Sequence, residues 1–139
     1  MNNSVLSVSQ DGDGSVGRWD ASTGTVVFTN ATTVTATRTT NTGDVLRTSY
    51  EVIEYWPGVI KSVQRGTITL ASVGSNTATI TRIDMNKSQL FDLRYSTTEL
   101  ASPQTITTRL TLTNATTVTA SRAVGTGTNV SSYQVVEFY

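Results

Sequence analysis

The 139 residues contain no cysteine and no histidine. Disulfides, thiolate chemistry, the usual soft or imidazole metal ligands and the commonest general base are therefore all absent from the chain. Charge is also scarce. Only 14% of residues are charged against a typical share of about a quarter, and ten Lys+Arg balance ten Asp+Glu. Neither sign forms a run, so the sequence carries no electrostatic footprint for nucleic acid or for an anionic membrane. No stretch approaches the roughly 18 consecutive apolar residues of a membrane-spanning helix. The opening Met1-Asn-Asn-Ser-Val-Leu-Ser lacks a basic segment followed by an apolar one, which predicts a soluble chain that is not routed by a signal peptide.

What the chain has in abundance is threonine, about one residue in five, so its polar surface is hydroxylic rather than ionic. Lys61 and Lys87 are the only lysines, and the remaining cations are arginine, which suits interfaces and fixed ion pairs better. The length fits one domain, and a chain of this size can bury about two-thirds of its unfolded surface without metals or crosslinks. Asn-x-Ser/Thr triplets at Asn3, Asn30, Asn86, Asn114 and Asn129 carry little weight in so threonine-rich a chain.

The sequence repeats itself. TNATTVTATR from Thr29 to Arg38 returns as TNATTVTASR from Thr113 to Arg122, and SYEVIEYW from Ser49 to Trp56 is answered by SYQVVEFY from Ser132 to Tyr139. Each copy reads as a strand, a turn and a further strand, preceded by another strand at Thr25-Val-Val-Phe or Arg109-Leu-Thr-Leu. Between the copies, VIKSVQRGTITL, NTATITRI and QLFDLRY read as three more strands. Strict alternation of hydroxyl and apolar side chains, as in Thr77-Ala78-Thr79-Ile80-Thr81, marks half-buried strands with threonine outward. No window carries a helical apolar stripe. The expected fold is all-β, an antiparallel β-sandwich, jelly-roll-like or barrel-like, of ten or so short strands with almost no helix. It is expected as a single domain, 1–139, holding two related units at about 25–56 and 59–139.

The closing strand of each copy is apolar on both faces. Tyr50, Val52, Glu54 and Trp56 alternate with Glu51, Ile53 and Tyr55; Tyr133, Val135, Glu137 and Tyr139 alternate with Gln134, Val136 and Phe138. Such a strand needs cover on both sides, one from the second sheet and one from elsewhere. A neighbouring subunit can supply it, which makes Tyr50, Val52, Tyr55, Trp56, Tyr133, Val135, Phe138 and Tyr139 candidate interface residues. So can a loop or the other repeat folded across it. Each copy also repeats one cation and one acid, predicting structural ion pairs Arg38–Glu54 and Arg122–Glu137.

Catalytic readings fail one after another. Asp11-Gly-Asp-Gly-Ser-Val-Gly resembles a calcium loop, but the sixth and twelfth positions hold Val16 and Ser22 where Gly and Glu are needed. Paired carboxylates such as Glu54 with Glu137, or Asp84 with Asp92, suit a glycosidase in type, yet the first pair occupies equivalent places in two repeats whereas catalytic roles are asymmetric. No phosphate loop and no Gly-x-Ser-x-Gly elbow occurs. The sequence therefore predicts a protein that is not an enzyme and needs no cofactor or metal. Trp19, Trp56 and the tyrosines can stack on a sugar ring, so a glycan remains a candidate ligand; the threonine spacing is too broken for ice binding.

The succession VQRGTITL, a loop with Asp84 and Lys87-Ser88, LTNATTVTASR and a closing YQVVEF resembles a β-module of structural proteins of tailed bacteriophages and prophages, linked to head decoration or to tail and fibre parts. The likeness covers Val59 to Tyr139, with Thr25 to Trp56 as a partial second copy that lacks the QRGTITL-like part. It implies a virion component made in the bacterial cytoplasm. Its implied partners are further copies of itself, a trimer being favoured, and other virion proteins such as the major capsid protein, with neither nucleic acid nor membrane. The rival expectation is a tail-associated module that binds a receptor or glycan.

Overall fold

The computed structural model describes residues 3–12, 20–40, 45–100 and 106–139. Among them run ten strands: β1 (Ser4–Gly12), β2 (Gly24–Asn30), β3 (Thr33–Arg38), β4 (Leu46–Glu54), β5 (Ile60–Ala71), β6 (Ser75–Thr79), β7 (Ser88–Thr97), β8 (Arg109–Asn114), β9 (Thr117–Ser121) and β10 (Thr128–Phe138), with one turn of 3-10 helix at Met85–Lys87. All pairings are antiparallel. The protein is all-β, with its sheets packed face to face. β-Branched side chains, stiff at χ1, pack well on such pleated surfaces.

Four small sheets form, ordered β6-β9-β8, β5-β10-β7, β1-β4 and β2-β3. The repeat is visible down to its hydrogen bonds. In the β2–β3 turn the Asn30 side-chain oxygen accepts from the amide and hydroxyl of Thr32, at 2.9 and 3.1 Å. In the β8–β9 turn Asn114 does the same for Thr116, at 2.9 and 3.0 Å. This is the Asx-turn chemistry that lets a short polar side chain replace a backbone turn bond. Thr29 with Thr35, and Thr113 with Thr119, form the same hydroxyl pair across each ribbon.

The register also defines the first unit. Glu54 faces Ser4 in the β1–β4 ladder as Glu137 faces Ser88 in the β7–β10 ladder. Thus β1-β2-β3-β4 corresponds to β7-β8-β9-β10, which adds the strand Ser4–Gly12 to the unit read from the sequence as about 25–56. Among the described residues only the second unit has β5 and β6, which flank β10 and β9 on their other edges.

The core lies on both faces of β5-β10-β7. On one face Tyr133 and Val135 meet Val118 and Ala120 of β9 together with Ile68 and Leu70 of β5. On the other, Val136 meets Val5 of β1 and Ile60, while Leu6 and Val26 pack on Leu93. The first unit therefore lies across the outer face of the second. At about 1.5–3 kcal/mol per fully buried aliphatic side chain, Val135 and Val136 alone anchor both layers.

Arg65 ties the two units. Its Nε donates to Gln134 Oε1 at 2.8 Å, its Nη2 donates to the Ser4 carbonyl at 2.6 Å, and its guanidinium lies 4.8 Å from the Phe28 ring centre. Gly66 beside it has a steric reason. Tyr133 lies across that residue, and a Cβ there would stand 2.6 Å from the tyrosine hydroxyl.

Candidate assembly surface

The two closing strands have nearly the same sequence and opposite fates. Tyr133, Val135 and Val136 are 4%, 0% and 0% exposed; their counterparts Tyr50, Val52 and Ile53 are 54%, 49% and 39% exposed. The cause is position. β10 is the middle strand of three with a layer on each face, whereas among the described residues β4 pairs only with β1 and ends its sheet.

The cover for the second copy's two-faced strand thus comes from the other repeat, the alternative the sequence left open beside a neighbouring subunit. Tyr133 and Val135 lie in the chain's own core, and Phe138 packs with Tyr55 edge to face at 6.0 Å between ring centres. As interface residues of a free surface, Tyr133 and Val135 are corrected on that ground. The candidate residues left at the surface are Tyr50, Val52, Trp56 at 84% exposure and Tyr139 at 71%. A depression of about 330 Å³ is lined by Glu54, Tyr55, Trp56 and Pro57. Trp19 lies outside the described residues, as does most of the Asp/Gly-rich segment that begins at Asp11.

The expected ion pairs are replaced by other contacts. Glu137, 3% exposed, accepts from Lys61 Nζ at 2.9 Å, from the Ser62 hydroxyl at 3.2 Å and from the Asp84 amide at 2.9 Å. Arg122 sits by the opposite end of β10, where it donates to the carbonyls of Leu70, Val73 and Gly127 at 3.1, 3.0 and 2.9 Å. It clamps the corner between β5 and β6. Arg38 likewise lies by Leu46 and Thr48 and donates to the Ala21 carbonyl at 3.3 Å, while Glu54 is at the far end of β4. The repeated cation and acid fall at opposite ends of their strands, about 20 Å or more apart at the rise of a β-strand. Lys61 belongs to β5, which lies outside the residues shared by the two copies, so the repeat does not point to it.

Burial alone pushes the Glu137 carboxyl upward, but the Asp84 amide, the Lys61 ammonium and the Ser62 hydroxyl outweigh it and hold the group below the usual carboxylate range. The hydrogen bond and charge of Glu137 raise Lys61 in turn. Asp92 goes the other way: burial raises it, against the opposing amide and charge of Arg94. Glu137 has both oxygens occupied and Asp84 reaches it through a backbone amide, so the arrangement locks a strand end rather than poising an acid and a base. Among the described residues no group of three or more acidic side chains is placed to hold a metal ion.

Asn129 is fully buried. It accepts from Thr97 at 2.6 Å and donates to the Ile106 carbonyl and the Thr108 hydroxyl at 2.7 and 3.1 Å, which leaves it no role as a glycan acceptor in the folded chain. No protein-family model, no curated protein and no solved structure matches the chain. Its surface therefore has to be read from its own residues.

Proposed function

We propose that this protein is a non-enzymatic structural component of a tailed-phage virion, a capsid decoration or other accessory head protein that works by adhesion between subunits. The observation that carries the adhesive reading is β4, whose apolar Tyr50, Val52 and Ile53 are all solvent-exposed and which, among the described residues, is paired on one edge only. An edge of this kind invites strand pairing unless a partner covers it. Its partners are further copies of the chain, as a trimer or other closed ring, and the major capsid protein. The virion context is supported by the resemblance of VQRGTITL, LTNATTVTASR and YQVVEF to phage structural modules.

The test is saturable binding to purified heads that lack the chain, with mass spectrometry of intact particles alongside. Binding weakened at least tenfold by Val52→Asp, and the chain present in particles at stoichiometric amounts, are the expected results. A chain absent from particles, with no affinity for heads or tails, refutes the proposal. One observation favours a second reading, a tail-associated receptor- or glycan-binding module: Trp56 stands exposed beside Tyr55 and Pro57, the setting in which an indole can stack on a sugar. Glycan-array binding lost in Trp56→Ala, together with no head binding, would select it.

A further inference from the structure

The second unit shows what the first one lacks. There β5 runs along the open edge of β10 and β6 along that of β9, so one segment that turns from the first sheet into the second seals both layers. The equivalent edges of β4 and β3 have no such neighbour among the described residues. We infer that β4 and β3 form an acceptor site for a two-strand segment of the β5–β6 type, one strand for each sheet, supplied by another polypeptide and added edge to edge. The inference narrows the adhesive reading, for it gives the β4 and β3 edges to a different polypeptide and leaves contacts between copies to other surfaces; it stands on the repeat whether or not the assembly is a virion.

The filled unit works as a template for the occupant. Opposite Tyr133 stands Gly66, because the ring needs a residue without Cβ to lie across. Tyr50 holds the matching place in β4, so the donor strand carries glycine there. Opposite Gln134 stands Arg65. The first unit has Glu51 at that position, so a donor arginine would gain an opposite charge where the internal pair has only an amide. Lys61 reaches Glu137 at 2.9 Å, and Glu54 offers a donor lysine the same carboxylate. The donor is thus an extended strand with a basic residue, then Arg-Gly, then alternating hydroxyl and apolar side chains. About half of the β4 amides and carbonyls point away from β1 in an antiparallel ladder, and these supply the backbone bonds.

A second copy of this chain fits less well. Its β5 and β6 are committed to its own β10 and β9, so a swap opens as many edges as it closes. Direct β4–β4 pairing about a two-fold axis centred on Ser49 matches Arg47 with Glu51, but it sets Tyr50 against Thr48 and leaves the β3 edge bare.

The probe is a fluorescently labelled synthetic peptide of residues 59–81, titrated into the intact chain and followed by anisotropy and amide hydrogen exchange. Saturable one-to-one binding is expected, with new protection confined to residues 46–54 and their neighbours in β3. Peptide G66V and the chain variant E51R/E54K should each weaken binding at least tenfold while circular dichroism of the chain is unchanged. No saturable binding, equal affinity of the G66V peptide, or protection gained on residues 128–138 instead would overturn the inference. So would oxidative cross-linking of a Tyr50→Cys chain to itself that the peptide fails to suppress. Peptide binding without any head or tail binding would keep the acceptor site and remove the virion reading; the reverse result would do the opposite.

Discussion

Val52 and Val135 occupy the same place in the two units, and truncating each to alanine should separate a core from a surface. Val135 is fully buried among Ile68, Leu70 and Val118. Removing two carbon groups forfeits about 1.6 kcal/mol of transfer energy at ~0.8 each, and the cavity left between two packed sheets brings the expected loss to about 2–3 kcal/mol. Val52 is 49% exposed. The same deletion there forfeits roughly half the transfer term and leaves no closed cavity, so the loss should stay below about 0.8 kcal/mol. Urea denaturation at low micromolar concentration, read by circular dichroism, measures both; in heat the shifts should be roughly 8 °C and 2 °C. Losses equal within ~0.5 kcal/mol would refute the assignment of β4 to the surface and β10 to the core. A Val52→Ala penalty that grows with protein concentration would instead report association through β4, since coupling to a partner makes stability concentration-dependent.

Four further outcomes follow from the contacts of β5 and β10. Glu137→Ala should cost about 3 kcal/mol, since it removes two side-chain bonds and strands the Asp84 amide, whereas Lys61→Met, at a solvent-exposed ammonium, should cost much less. The Glu137 carboxyl titrates lower folded than unfolded, so its contribution is complete above the unfolded value near 4.5 and is lost as pH falls through the folded one. The stability gap between the wild type and Glu137→Gln should therefore shrink on acidification from pH 6 to pH 3; a constant gap would show that the charge is immaterial. Asp92, raised by burial, contributes the opposite slope, which is why the difference between two chains is measured and not one curve. Gly66→Ala should cost about 1–3 kcal/mol by pushing Tyr133 off the strand, and adding Tyr133→Leu should recover part of that loss in a double-mutant cycle. Arg65→Met should cost about 2–4 kcal/mol, for it removes the bonds to Gln134 and Ser4 and the cation over Phe28; a neutral result in denaturation would mean that the units are not tied there.

Alternation and repetition made most of the fold legible. Thr-Val-Thr-Ala patterns placed β3 and β9, and the three blocks between the copies became β5, β6 and β7. Two things stayed hidden. The repeat seen in the letters began at Thr25, because SVLSVSQDG of β1 and SQLFDLRYST of β7 share little beyond their first serine and third leucine; only ladder register equates them. The ion pairs were misread because similarity fixes which residues are equivalent and not which are adjacent. Arg38 and Glu54 end strands that point to opposite ends of the unit, and the true partner of Glu137, Lys61, sits in β5, which has no equivalent in the described part of the first unit. Strand pairing across long sequence separations decides such contacts, and local pattern carries no record of it.

The same two-faced pattern produced a core strand once and a surface strand once, which follows from how the cover is distributed. The described residues hold two four-strand units and one further pair of strands, β5 and β6. β5 goes to β10 and β6 to β9, and the first unit forms the outer layer over Val136. Nothing within the described residues then remains to cover the layer that did the covering. Edges in free-standing proteins are usually blunted by proline, inward charge or bulges. On β4 the apolar Tyr50, Val52 and Ile53 are kept, and the acids Glu51 and Glu54 are interspersed with them. Carboxylates in that spacing repel an acidic or uncharged strand by the cost of leaving them desolvated, and they favour one bearing cations at matching positions. On the proposed adhesive reading, such a surface selects its partner by the spacing of charge as much as by the area of exposed hydrocarbon.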